Sequence, residues 1–183
     1  MNRFIRVKNL FLVLLICTLT SFSQEASKIN NESEITFTIK NFGFNVDGNF
    51  NEFKVLSNFN FAALKESFLN VEIDVKSIFT GIESRDQHLL ETAYFNAKTY
   101  PKIIFNATEI EKIANFKYLV KGFITIKGIK KRLETPIEII ESGENIIVKA
   151  NFELDRKDFD VGGNSLVLAN KVKVKMRYVT NKN

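Results

Sequence analysis

The densest grouping of reactive side chains in this sequence is Arg85-Asp86-Gln87-His88, which sets a cation, a carboxylate and the only histidine of the chain on four consecutive positions. A carboxylate beside an imidazole is the raw material of general acid–base catalysis. On a helix, however, residues two apart point to different sides, so Asp86 and His88 would not face one another. The chain also lacks the Gly-x-Ser-x-Gly, His-Glu-x-x-His and Gly-rich phosphate-loop patterns. A single histidine leaves a zinc site dependent on carboxylates alone, and the one cysteine, Cys17, lies near the N-terminus. We expect no catalytic residue, no metal and no cofactor, and we assign Arg85, Asp86 and His88 to a polar cap or rim. The enzymatic alternative, a secreted lipid or ester hydrolase with Asp86 and His88 as an acid–base pair, has no nucleophile beside that pair. A second charged run, Asp155-Arg156-Lys157-Asp158, reads as a solvated loop. Arg156 also joins the rim, where its planar fork would suit an anionic head group.

The elements that must position these residues are almost all strands. The clearest is Lys171-Val172-Lys173-Val174-Lys175-Met176-Arg177-Tyr178, apolar at every even position and cationic at every odd one. Similar alternation runs through Ile35-Phe37-Ile39, Phe59-Phe61, Val71-Ile73-Val75, Ile103-Phe105, Val120-Gly122-Ile124-Ile126, Ile137-Ile139 and Val148-Ala150-Phe152-Leu154, making eight strands. Turn residues separate most of them: Asp47-Gly48, Lys127-Gly128, Ser142-Gly143 and Gly162-Gly163-Asn164. Short connections favour antiparallel neighbours, hence a meander. One helix is expected from Ser84 to Thr92, opened by a Ser84/Gln87 capping box and ended before Tyr100-Pro101. The fold class is therefore all-β, a single eight-stranded antiparallel barrel with one short capping helix; a sandwich shares the same periodicity.

The N-terminus carries Arg3, Arg6 and Lys8, then an apolar run from Leu10 to Leu19, then Ser21-Phe22-Ser23. This is the pattern of a secretory signal cleaved after about Ser23, and the run is about half the roughly 20 residues a membrane-spanning helix needs. Residues 24–183 then form one domain, placed in the periplasm or outside the cell. The net charge of +5 falls to +2 without the leader, and the lysines alternate along strands instead of clustering, which argues against nucleic-acid binding. Phenylalanine is abundant, 18 residues with no tryptophan. Flat apolar rings either fill a barrel or line a cavity in it, and an eight-stranded barrel stands at the boundary between the two.

Several blocks resemble the YceI-like family of exported bacterial polyisoprenoid-binding proteins, which have a lipocalin-like barrel. They are the opening from Ser33 to Gly43, with Val46-Asp47-Gly48-Asn49-Phe50; Ser77-Ile78-Phe79-Thr80-Gly81; Arg85-Asp86-Gln87-His88-Leu89; Phe95-Asn96-Ala97; Tyr100-Pro101-Lys102-Ile103-Ile104-Phe105; the stretch from Tyr118 to Gly128; and the loop from Arg156 to Gly163. At Asn41 many members have histidine. The resemblance implies a lumen that holds a long isoprenoid, quinone-like or fatty lipid for transport or storage, without chemistry on it. It would be lined by Phe37, Ile39, Phe42, Phe44, Phe50, Phe59, Phe61, Ile73, Val75, Phe79, Phe95, Ile103, Phe105, Val120, Ile124 and Phe152. Transient membrane contact and a homodimer through a barrel mouth are compatible with it. A stress-related or structural envelope protein with a filled barrel is the non-binding alternative.

Overall fold

Alternating apolar and polar residues fold into strands because one face of each can be buried while the other meets water. The computed structural model describes residues 32–61 and 63–181; the leader read in residues 1–23 lies outside them. Ten strands form: β1 (Glu34–Asn41), β2 (Phe44–Phe50), β3 (Phe53–Asn58), β4 (Phe68–Asp74), β5 (Ile78–Phe79), β6 (Lys102–Ala114), β7 (Lys117–Ile126), β8 (Ile129–Ser142), β9 (Asn145–Asp155) and β10 (Leu168–Asn181). They make one antiparallel sheet in the order β3-β4-β6-β7-β8-β9-β10-β1-β2-β5. Only Asn51 and Glu52 separate β2 from β3, so residues 44–58 are one bent strand that belongs to both ends of the sheet and brings it round on itself. Backbone bonds hold the bend: Asn51 N–H donates to Ser77 C=O at 3.0 Å and Asp74 N–H to Glu52 C=O at 2.9 Å. With β2 and β3 counted as one strand and the two-residue β5 set aside, the wall has the eight strands expected.

The bent strand was not among those eight. The strand expected at Phe59-Phe61 does not form: β3 ends at Asn58 and both phenylalanines fall in the following turn. The alternation of Asn58-Phe59-Asn60-Phe61 imitates a strand. Asn60 overrides it by accepting the Ala63 N–H through both its carbonyl and Oδ1, each at 3.1 Å, a turn-forming use of asparagine. The turn expected at Asp47-Gly48 is likewise strand, paired with Thr38 and Phe37. Gly48 is needed there because a Cβ would overlap the Phe37 ring. The real reversal is Phe42-Gly43, with φ of 50° and 81°, the two positive values of a tight hairpin turn.

The helix, α1 (Glu83–Leu89), begins one residue earlier than expected and stops three short of Thr92. The capping box does not form, because Ile82 holds the N-cap position and no side chain caps the helix. Asp86 supplies the anchor instead: its Oδ1 accepts the Thr80 N–H at 2.9 Å and the Thr80 hydroxyl at 2.5 Å.

Burial along the strands shows which end of the barrel is packed. On β10 the inward residues Val172, Val174 and Met176 are partly exposed, while Tyr178 is at 0%. On β9 the same step runs from Leu154 and Phe152, partly exposed, to Ala150 and Val148, buried. Register carries it across the wall: Val148 pairs with Tyr178 and with Ile139, and these three fill one end together with Tyr118, Val55 and Ile110. The other end, toward α1, is not filled.

Candidate functional site

The unfilled end is a cavity of about 360 Å³, within the roughly 300–1,000 Å³ of small-molecule pockets and near the lower bound. Each strand of the wall except the β3 half of the bent strand contributes to it. Ile35, Phe37 and Ile39 come from β1, Phe50 and Val46 from β2, Ile73 from β4, Ile103 and Phe105 from β6, Val120 and Ile124 from β7, Ile137 from β8, Phe152 from β9 and Val174 from β10, with Leu89 of α1 and Phe95 above. Polar atoms come only from Asn41, Thr80, Arg85, His88, Tyr94, Thr135 and Arg156. Such a wall offers shape and apolar surface, with few groups to fix a polar end.

Of the positions assigned to the lumen, Phe37, Ile39, Phe50, Ile73, Phe95, Ile103, Phe105, Val120, Ile124 and Phe152 surround this cavity. Six others do not. Phe42 and Phe44 flank the hairpin turn and are 71% and 76% exposed, and Phe79, on the two-residue edge strand β5, is 52% exposed. Phe59 and Phe61 sit past the end of β3, where their rings stack on each other at 6.3 Å. Val75 is buried at 1% but lies in the turn after β4, outside the lumen. The lining residues beyond those expected are mostly strand neighbours of the right parity, among them Val71, Ile126, Val172 and Met176. Asn41 also lines the cavity and continues the inward parity of 35, 37 and 39.

The rim residues are committed to the protein to different degrees. Arg156 is 4% exposed, against the solvated loop expected of its charge run. Nε donates to the Ala169 carbonyl at 2.9 Å; Nη1 to those of Val161 and Gly163 at 2.8 and 2.7 Å; Nη2 to that of Leu168 at 3.1 Å and to Asn170 Oδ1 at 3.4 Å. All five guanidinium donors are used, so Arg156 staples the 161–170 loop to the end of β9 and has nothing left for an anionic head group. Arg85 gives Nε to Thr80 Oγ1 and Nη2 to the Thr80 carbonyl, both at 2.7 Å; Nη1 has no partner among the described residues. His88 pairs through Nδ1 with Glu91 at 3.1 Å and packs its ring against Tyr94 at 4.8 Å. Asp86 is turned to Thr80, so the acid–base pair considered for a hydrolase is not assembled. Among the described residues no three His, Cys, Asp or Glu side chains group as metal ligands would.

Fold and site define a class: an antiparallel barrel packed at one end and hollow and apolar at the other. The pattern of the YceI-like domain matches residues 28–180, and the chain belongs to that family. It is 28% identical over 144 residues to a UPF0312 protein of Yersinia enterocolitica, covering 73% of this chain and 74% of that one. A UPF0312 protein of Pectobacterium carotovorum is 29% identical over 112 residues, 61% of this chain and 58% of the other. Among solved structures, the Campylobacter jejuni YCEI protein superposes with a TM-score of 0.70 at 28% identity, covering 76% of this chain and 86% of that one. Burkholderia cenocepacia BcnA shares the fold with a TM-score of 0.80 at 24% identity, over 84% and 100% of the two chains. So does a polyisoprenoid binding domain from Saccharophagus degradans implicated in plant cell wall breakdown, with a TM-score of 0.67 at 15% identity, over 82% and 94%.

Proposed function

We propose that this protein holds a long-chain isoprenoid, or a similar quinone-like or fatty lipid, in the hollow end of its barrel, and carries or stores it in the cell envelope after export. The observation that carries the reading is the gradient along β9 and β10, from buried Val148 and Tyr178 to partly exposed Phe152, Val172 and Val174. Inward apolar residues left partly uncovered have a reason if something else covers them. A barrel with a filled interior would bury them all. That a structural relative is described as a polyisoprenoid binding domain agrees with this choice of ligand.

The energetics are adequate. Each buried CH₂ contributes roughly 0.8 kcal/mol and an isoprene unit has five carbons, so two or three enclosed units outweigh association costs of several kcal/mol. The leader pattern of residues 1–23 supports export. Phe42 and Phe44 together with Leu166, which is fully exposed, would suit brief contact with a bilayer where lipid is exchanged.

The test is organic extraction and mass spectrometry of protein purified from its own cells, expecting a co-purified isoprenoid or long-chain lipid. Added prenyl lipid should also raise the melting temperature of emptied protein. Repeated preparations free of lipid, with no thermal shift from any prenyl chain length, would remove the proposal.

A further inference from the structure

Among the described residues one buried side-chain polar atom is left without a partner, and it belongs to the cavity wall. Asn41 Oδ1 is buried and receives no hydrogen bond, and Asn41 lines the cavity. Folded proteins keep few such orphans, because a buried acceptor has lost its water and gained nothing for it. Three other polar side chains of the same wall are paired: Thr80 Oγ1 donates to Asp86 and accepts from Arg85, Thr135 Oγ1 donates to the Pro136 carbonyl, and Arg156 has spent all its donors. Asn41 is held firmly where it is. Its backbone pairs with Phe44 on one side and Leu168 on the other, and its position continues the inward face of Ile35, Phe37 and Ile39.

We propose that Asn41 is the specificity-determining residue of the lumen, and that its side-chain amide hydrogen-bonds the hydroxyl end of a long-chain alcohol whose tail occupies the cavity. The inference rests on the lipid-binding reading and narrows it to a ligand class. A hydroxyl donates to Oδ1, which an ether, a hydrocarbon or an ionised phosphate does not. The same hydroxyl oxygen can also accept from the amide Nδ2. An ionised head beside Asn41 would also bring a charge into an apolar wall whose buried arginine, Arg156, is already saturated, which leaves only the partly exposed Arg85 to meet it.

The test compares farnesol with farnesyl methyl ether, two ligands of equal tail, by calorimetry or tyrosine fluorescence on delipidated protein. The wild type should bind the alcohol about tenfold more tightly than the ether, as expected of one hydrogen bond to a buried acceptor. Asn41→Leu should bind the two alike, close to the affinity of the wild type for the ether, and its unliganded melting temperature should hold or rise because an unsatisfied group has gone. Affinities within twofold in the wild type would overturn the assignment without any variant, while leaving the lipid reading intact. So would a preference for the alcohol that survives in Asn41→Leu. Failure of both ligands to bind the wild type would overturn the lipid reading, and this assignment with it.

Discussion

Ala150 offers a measurement whose sign separates a hollow barrel from a filled one. It lies on β9 at the floor of the cavity, paired with Ile137 on one side and Met176 on the other, and its side chain lines the space. Ala150→Leu adds three carbons. If the floor is empty, those carbons leave water for an apolar cavity and stabilise the unliganded protein by up to about 2 kcal/mol, at roughly 0.8 kcal/mol per buried carbon. For a domain of this size that is a rise in melting temperature of about 4–8 °C. In a filled interior the same change overpacks the core and destabilises it by about 1–3 kcal/mol. The lipid should respond oppositely, since the added carbons take the deepest part of its site. Affinity for farnesol should fall roughly 10- to 50-fold. Urea denaturation of delipidated protein gives the first quantity and titration the second. A loss of stability above about 1 kcal/mol with lipid affinity unchanged would refute the reasoning.

Three other outcomes are expected. Gly122→Ala should destabilise by about 2–4 kcal/mol in chemical denaturation, because the new Cβ would overlap the Asn106 carbonyl, and backbone held in the β6–β7 ladder cannot step aside as a flexible side chain could. Arg156→Lys should cost about 2–4 kcal/mol by the same assay while leaving farnesol affinity of the folded protein within twofold, since an ammonium cannot reach the acceptors that five guanidinium donors serve; a selective loss of lipid affinity would instead make Arg156 part of the binding site. Tyr118 helps fill the packed end, and burial, followed by the nearby Glu141 charge, raises its pKa above the usual 10.0. The unfolded chain then ionises first, so the contribution is whole below pH 10.0 and is lost as pH climbs from there through the raised value of the folded state. Tyr118→Phe should flatten that part of a stability–pH curve recorded between pH 9 and 11.

The limits of the sequence are visible in particular residues. β10 was legible from Lys171 to Tyr178, because water on one side and apolar space on the other impose a strict period of two; the three residues by which the strand extends at each end break that pattern. Residues 44–58 were not, since Asn45, Asp47, Gly48, Asn49 and Asn51 carry turn chemistry. They are strand because β1 and β5 pair one half and β4 the other, a non-local cause. Arg156 looked solvated within its charge run, and what buries it is a loop whose carbonyls lie 5 to 14 residues further on. The exposed Phe42 and Phe44 are the converse case, since aromatic character suggests an inward position but both flank the reversal at Gly43. Asn41 could have been found by parity alone, as a polar residue at an inward position of an otherwise apolar face.

The hollow is also an energetic burden that the rest of the fold has to carry. At about 24 cal/mol per Å³, an empty 360 Å³ corresponds to roughly 9 kcal/mol of packing not made, comparable with the whole stability of an ordinary domain, about 5–15 kcal/mol. A sandwich of two open sheets could relieve such a void by closing up. This wall cannot do so easily, because residues 44–58 tie its two ends covalently, the Phe42-Gly43 and Lys127-Gly128 reversals fix the register of their hairpins, and Tyr178, Val148 and Ile139 fix the spacing of β10, β9 and β8 at the packed end. The rigidity that keeps the cavity from collapsing is therefore built at the opposite end of the same strands. A guest in the cavity makes contacts that the protein cannot make with itself.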